Sequence, residues 1–431
     1  MSEIRLRVLP ALSAIPAAAW DACANPGCNS DAPSATDTGS SLLSKAGTDL
    51  SYKSDDIIKV SDEDIVGFRG YPFNPFITHN FLSALELSRS VGAHAGWLPQ
   101  HLVAERADGS VVGVSPCYLK SHSRGEYVFD HGWADAYARA GGAYYPKLQV
   151  SVPFTPATGP RLLVRPGSGA AAVLPALADG LIALCRQHRA SSVHATFLPE
   201  AQWDLLARHG FLRRTDQQFH WINEGYASFD AFAAALSSRK RKTLKRERRD
   251  ALADGITVHW LTGRDLTEDV WDAFFSCYME TGSRKWGSPY LTRSFFSLIG
   301  QTMADSILLV MARRSGRWIA SAINFIGGDA LFGRNWGAIE HHPFLHFELC
   351  YYQAIDYAIA HRLARVEAGA QGEHKIARGY RPTTTYSAHY IADPALRRAV
   401  ADYLARERTY VEAASEELAA AAPFRKNDAG G

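Results

Sequence analysis

The chain has 431 residues, 47% hydrophobic and 21% charged, enough for two or three packed domains and unlike a fibrous or wholly disordered protein. Its 46 basic and 44 acidic residues sum to +2, but that sum conceals two blocks: nine acidic against three basic residues over 21–64, or −6, and eight basic against two acidic over 238–250, or +6. No apolar run is long enough to cross a membrane, the opening residues lack a secretory core, and six scattered cysteines make no disulfide framework, so a cytoplasmic protein is expected, with peripheral membrane contact left open.

Residues 22–64 are rich in Ser, Asp and Gly and poor in aromatics, which predicts a disordered acidic insertion. Cys23 and Cys28 lack the further ligands that zinc needs, and no metal is expected anywhere. A helix is predicted at 78–90, capped by Thr78, with Phe81, Leu82 and Leu85 inward. Runs at 101–104 and 111–114 flank Asp108-Gly109 and predict a hairpin. Residues 126–129 read as a short strand, 170–189 as a helix, 193–197 as a strand, 200–209 as a helix and 219–222 as a strand.

The second half repeats that order. Helices are predicted at 229–236 and 238–254, a strand at 256–260, and helices at 267–281 and 291–303. Strands 306–311 and 318–325 form a hairpin about Ser315-Gly316. A strand at 330–336, a helix at 343–362, a strand at 365–369 and a helix at 394–420 complete the chain. Each half thus reads as helix, antiparallel hairpin, strand, helix, strand. This is an α+β pattern given twice, with domains at 1–225 and 226–420 and a tail at 421–431.

The densest chemistry lies in 367–382. Glu373, His374, Lys375 and Arg378 gather acid, base and cations at a strand end, between glycines that permit close approach of a ligand. Glu373 or His374 can take a proton from an amine, and Lys375 and Arg378 can hold a phosphate or carboxylate. A solvated loop with ordinary ion pairs is the plainer alternative. Glu348 falls on an apolar helical stripe with Phe344, Tyr351, Ile355 and Ile359; it is either a buried structural acid, with Arg334 as its candidate partner, or a catalytic one. In the first half Asp130 and Trp133 follow a strand, and Tyr145 and Lys147 sit in an aromatic, proline-rich stretch suited to a groove between domains or to a surface connection. Arg239, Lys242, Arg246 and Arg249 belong to the basic run, a ridge for an anionic partner or a solvated helix face.

The segment Gly369-Ala370-Gln371-Gly372-Glu373-His374-Lys375 resembles the FemAB-like family of N-acyltransferases, the peptidoglycan biosynthesis or recognition proteins. Arg334-Asn335-Trp336-Gly337, the run 345–353, Lys120-Ser121-His122-Ser123, Tyr145-Pro146-Lys147-Leu148 and Val152-Pro153-Phe154-Thr155-Pro156 are similar to further segments typical of that family. The resemblance covers about residues 73–410. It implies two tandem GNAT-like domains, each a mixed, mostly antiparallel sheet flanked by helices, with a basic helix opening the second. It also implies transfer of an acyl or aminoacyl group from an activated donor to an amine acceptor, a peptidoglycan-type precursor. The site would take Glu373, His374 and Glu348 as catalytic residues. Lys375, Arg378, Arg334, Asn335, Trp336, Asp130, Trp133, Lys147 and Tyr145 would bind substrate, and Arg239, Lys242, Arg246 and Arg249 would hold a tRNA or another polyanionic donor. The [QR]-x-x-G-x-[GA] loop of CoA-dependent relatives is missing at 338–343 and near 134–138. No bound cofactor is therefore expected, and aminoacyl-tRNA fits better than acyl-CoA as co-substrate. A CoA-dependent acetyltransferase with a divergent phosphate loop and a non-catalytic peptidoglycan- or RNA-binding module are the rival readings.

Overall fold

The structure, a computed structural model, describes residues 4–27, 49–50, 70–167, 169–286, 289–369, 372–420 and 422–425. The first half runs β1 (Ile4–Leu9), α1 (Ala17–Ala24), β2 (Asp49–Leu50), α2 (His79–Leu87), β3 (Trp97–Pro99), β4 (His101–Arg106), β5 (Val111–Ser115), β6 (Tyr118–Lys120), α3 (His131–Arg139), β7 (Lys147–Val150), β8 (Leu163–Val164), α4 (Ala170–Gln187), β9 (Ser192–Leu198), α5 (Glu200–Arg208) and β10 (Leu212–Ile222). The second runs α6 (Phe229–Ala235), α7 (Ser238–Ala251), β11 (Thr257–Leu261), α8 (Glu268–Trp286), α9 (Arg293–Thr302), β12 (Ile307–Arg314), β13 (Arg317–Ile326), β14 (Ala330–Ala338), α10 (Leu345–Phe347), α11 (Gln353–Ala360), β15 (Arg365–Glu367), β16 (Arg381–Ile391) and α12 (Pro394–Ala420). The class is α+β, as the element order implies.

Local signals act where expected. The Thr78 hydroxyl caps α2 by accepting from Phe81 N; Ser228, which the sequence reading did not single out, does the same for α6 at Ala231 N. Three expectations are corrected. Residues 126–129 form no strand; Glu126 turns inward there to meet Lys147. The 343–362 helix is interrupted by a π turn at Glu348–Tyr352. The expected insertion at 22–64 falls mainly outside the described residues, but its first residues end α1, where Cys23 is buried against the core.

One sheet has five strands in the order β2-β1-β4-β5-β8, and the other has eleven, β11-β12-β13-β14-β15-β10-β16-β9-β7-β6-β3. The centre of the larger sheet is an exchange. β10, from the first half, lies between β15 and β16, and β16, from the second half, lies between β10 and β9. The β10–β16 ladder runs antiparallel from Leu212↔His389 to His220↔Arg381, so each half completes the other's sheet.

The two faces of the second half's sheet bury different cores. Phe332, Ile323 and Phe325 face α2, α8 and α9, whereas Leu331 and Val366 face α11 and Tyr352. α8 crosses β14 at Gly337, where a Cβ would lie 2.1 Å from the Cys277 carbonyl oxygen, so only glycine permits that contact. Further along the sheet the strand pairing puts Lys120, Lys147, Gln149, His194, Ser387 and His389 on one buried face, a polar belt through the first half. Among the described residues, no helix is long and apolar enough to cross a membrane.

Candidate active site

A crevice opens where two parallel strands part. β14 and β15 pair only at Ala330↔Arg365, Leu331↔Val366 and Phe332↔Glu367; β15 then ends while β14 continues to Ala338. Ligands in sheets with parallel strands favour the space beyond the carboxyl ends of such strands. A bulge shapes its wall. Asn324 pairs with Gly333 and Ala322 with Trp336, so Ile323 alone opposes both Arg334 and Asn335. The extra residue resets the alternation of side chains. Arg334 and Asn335 both line a cavity with Phe154 and Phe325, whereas Trp336 packs on the opposite side against His346, ring centroids 5.2 Å apart.

The other wall is the tight turn Glu373–Arg378, held between left-handed glycines at Gly372 and Gly379. His374 is exposed, and its Nε2 lies 2.9 Å from the Tyr351 hydroxyl. Lys375 is buried and donates from Nζ to the Gly369 carbonyl at 3.0 Å; burial pulls its pKa down to about 8. Arg378 is buried, with its guanidinium 3.4 Å from the Phe347 ring centre and Nη1 donating to the His374 carbonyl at 2.8 Å. Of Glu373 only the backbone is described, and Ala370 and Gln371 lie outside the described residues.

Glu348 is fully buried, but its partner is not Arg334. Arg248 of α7 donates to both its oxygens, at 2.8 and 3.1 Å, and Gln353 donates to one at 2.7 Å. The reason is geometric: the bulge turns Arg334 to one side of β14, while Glu348 sits on the other side, in the core that α7 covers. Burial raises the Glu348 pKa, and Arg248 opposes that rise. Glu348 thus anchors α7 over the crevice. Arg239, Lys242, Arg246 and Arg249 occupy the exposed face of that helix, at spacings of three and four.

In the first half the selected residues lie in the polar belt. Lys147 Nζ donates to Glu126 at 2.7 Å, to Ser123 at 2.8 Å and to Asp130; Tyr145 shares Ser123 at 2.8 Å. Burial alone would raise the Asp130 carboxyl, but the Lys147 charge holds it below its ordinary value. Trp133 lies 5.1 Å from the Arg214 guanidinium and 5.1 Å, edge-on, from His389. Among the described residues, no hydrogen bond joins this group to Lys375 or Arg378. The link between the sets is the segment beside Glu126: Arg334 donates to the Phe154 carbonyl, and its guanidinium lies 6.0 Å from the Tyr127 ring centre. Gly125, at φ +82°, lets that segment pass Phe154, which a Cβ would approach to 2.6 Å.

The first half has a matching pair of parallel strands, β7 and β9, but its crevice is filled. Arg161, 1% exposed, donates there to the carbonyls of Thr196, Gly159, Pro160 and Ala157 at 3.2, 3.0, 3.1 and 2.7 Å. The turn after β14 also makes a poor pyrophosphate cradle. Pro343 has no N–H, the Leu345 and Glu348 N–H groups bond His342 and Phe344 carbonyls, and the Glu340 carboxylate sits in the turn. Among the described residues, no group of three His, Cys, Asp or Glu is placed to hold a metal ion.

Sequence reasoning missed Tyr127, His220, Glu247, Tyr351 and Glu367. Glu367 closes β15 at the fork, with one oxygen bonded to Arg365 at 2.9 Å and the other 3.8 Å from His220 Nε2. Two of these carried a signal: Tyr351 by its spacing of three from Glu348, and Glu367 by heading the stretch 367–382.

Comparison with known proteins adds the following. The FemAB-like family, described as peptidoglycan biosynthesis/recognition, matches residues 57–426. No curated protein matches the chain. Among solved structures, FemX is similar at 13% identity over 80% of this chain and 99% of its own, with a TM-score of 0.49. The C-terminal DUF2156 domain of a putative lysylphosphatidylglycerol synthetase from Agrobacterium fabrum is similar at 9% identity over 80% and 94%, TM-score 0.49. A tandem GNAT protein from the clavulanic acid biosynthesis pathway is similar at 14% identity over 77% and 94%, TM-score 0.39.

Proposed function

The chain belongs to the FemAB-like family, and from that premise we propose that it transfers an acyl or aminoacyl group from an activated ester to the amine of a peptidoglycan-type precursor. The observation that carries this reading is the forked crevice with a wall on each side of the sheet. Arg334 and Asn335 line a cavity shared with the first half, while Trp336, His374 and Arg378 line the side covered by α7. Groups reaching the two sides of the sheet would meet at the diverging strands.

In this reading the neutral amine attacks the carbonyl carbon, an N–C bond forms and the ester C–O bond breaks; the proton that the nitrogen gives up is passed to the departing oxygen, which leaves as an alcohol. Lys375, with its pKa drawn down to about 8, is deprotonated often enough to receive that proton; His374, steadied by Tyr351, is the second acceptor. Glu348 and Arg378 act by position, fixing α7 and the His374 turn. The bulge at Arg334–Asn335 interrupts the strand ladder, and a backbone N–H left unpaired there would serve a developing oxyanion. An aminoacyl-tRNA donor is favoured over acyl-CoA by the crowded turn at 338–344 and by the basic outer face of α7.

The test is mass spectrometry of products from a peptidoglycan-precursor peptide incubated with aminoacyl-tRNA or with acyl-CoA. Transfer from aminoacyl-tRNA, reduced about 100-fold or more in Lys375→Met, is the expected result. Its kcat/KM should rise with pH and level off above about 8. Transfer from acyl-CoA alone would reverse the donor assignment, and full activity in Lys375→Met would remove Lys375 from the chemistry.

A further inference from the structure

We propose that β11 is an interface. Two copies of this chain pair through their β11 strands, antiparallel about a two-fold axis at His259, and join their eleven-stranded sheets into one.

β11 ends the larger sheet and is paired on one side only, with β12. Thr257 and Trp260 are exposed, and Val258, His259 and Leu261 are half-buried. Native sheets blunt such an edge with a very short strand, a proline, a lysine or a bulge. The other edges among the described strands follow that rule: β2 and β8 have two residues each, and β3 has three, the last of them Pro99. β11 has five, Thr-Val-His-Trp-Leu, with no proline, lysine, carboxylate or bulge. Its largest side chain lies over the sheet face and leaves the edge open. The Trp260 Nε1 donates to Gln353 Oε1 at 2.8 Å, and its ring meets Tyr357 edge-on at 5.2 Å.

The residues themselves choose the partner. In a two-fold pairing every contact occurs twice, residue i with j and j with i. Centred on His259, the register sets Thr257 opposite Leu261 of the second copy, Val258 opposite its Trp260, and His259 opposite itself. Val258 and Trp260 share the sheet face that α11 covers, so four apolar side chains meet there. Continued past the strand ends, the same register sets Asp254 opposite Arg264 of the second copy. Both are exposed, and among the described residues neither has an ion-pair partner. The pairing gives one to each, at both ends of the ladder. Asp265, the next acid, falls opposite Ala253. This match of the chain's charges with themselves singles out a second copy among the strands that could add to the edge.

The axis stands normal to the sheet, so faces are kept together. α11 and α7 cover the same core, and both copies of each lie on one side of the joined sheet. The two basic ridges thus face the same way.

The experiment is sedimentation equilibrium on the full chain, with no substrate and no turnover. A monomer–dimer equilibrium is expected, the heavier species at twice 47.3 kDa. Asp254→Lys and Arg264→Glu each set like charges together at both ends and should weaken the dimer about tenfold or more. The double exchange restores opposite charges and should return it to within about threefold of the original. His259→Cys gives a second reading, because only a residue on the axis meets its own copy. Diamide should link this variant into a covalent dimer on a non-reducing gel. Thr262→Cys, three residues from the axis, and the unaltered chain should stay unlinked. A monomer throughout the micromolar range overturns the proposal. So does a dimer indifferent to both single exchanges, one that the double exchange does not rescue, or one that links through Thr262→Cys as readily as through His259→Cys.

Discussion

Glu247 and Arg378 are 131 residues apart in sequence, yet both Glu247 oxygens lie 3.0 Å from Arg378 Nη2, and both residues are buried. The Tyr352 hydroxyl donates to the same carboxylate. Since Arg378 also holds the His374 carbonyl, this pair ties α7 to the turn that carries His374. Removing one partner leaves the other charge enclosed and uncompensated. Glu247→Ala and Arg378→Ala should each lower stability by about 3–5 kcal/mol. The double variant should lose less than the sum of the singles. Urea titration of the four proteins reads this, and strictly additive losses would show that the pair is not coupled.

Lys120 provides a prediction about pH. It is fully buried over the Trp97 ring at 3.5 Å, and its only carboxylate neighbour among the described residues is Glu126, at 3.7 Å. Burial pulls its pKa from 10.5 down to about 6; Glu126 opposes that shift, and Lys147 and Arg124 add to it. Between these values the unfolded chain holds a proton that the folded chain lacks. Stability from this group is therefore complete above 10.5 and is lost as pH falls through about 6, with a slope of up to about 1.4 kcal/mol per pH unit. Lys120→Met should flatten that slope. Denaturant midpoints at several pH values between 6.5 and 9 decide it, and parallel curves for the two proteins would contradict a buried neutral lysine.

The same burial explains what the sequence concealed. β16 carries Thr383, Thr385, Ser387 and His389 on the face that pairs across β10 and β9, and three of these are buried. Periodicity equates a buried face with an apolar one, so β16 was not expected, and β10 was foreseen only over its last residues. That face is satisfied by polar contacts instead, such as His194 Nδ1 to His389 Nδ1 at 2.6 Å. Apolar hairpins and amphipathic helices were legible because their burial follows the ordinary rule. The crevice was half legible. His374, Lys375 and Arg378 were named from their clustering at a strand end, and Arg334 as a candidate partner of Glu348. The Arg248–Glu348 pairing was not, because it depends on how a π turn and a bulge rotate two elements, and neither leaves a periodic mark.

Arg161 separates stability from chemistry. It fills the first-half fork by donating to four backbone carbonyls, and burial lowers its pKa to about 9. Arg161→Met would leave those acceptors without donors, at a cost of about 3 kcal/mol or more. Thermal and urea unfolding should both shift down, while kcat of the folded enzyme stays within a few-fold of the original. A specific loss of kcat in a stable variant would show that the first fork also takes part in turnover.

The outer face of α7 gives the opposite separation. Arg239, Lys242, Arg246 and Arg249 are exposed, and among the described residues only Arg249 has an acidic partner, Asp250 at 2.8 Å. The inner face holds the helix by other residues, Leu244, Glu247 and Arg248. Neutralising all four to Gln should thus leave the unfolding midpoint almost unchanged. If a polyanionic donor lies along this face, four phosphate contacts disappear together. The slope of log K against log salt for an RNA acceptor-stem hairpin should then become shallower by about 3. Affinity at low salt should fall with it. An unaltered salt slope would mean that these cations only solvate the helix. A slope lost for anionic vesicles and kept for RNA would identify the face as a membrane contact.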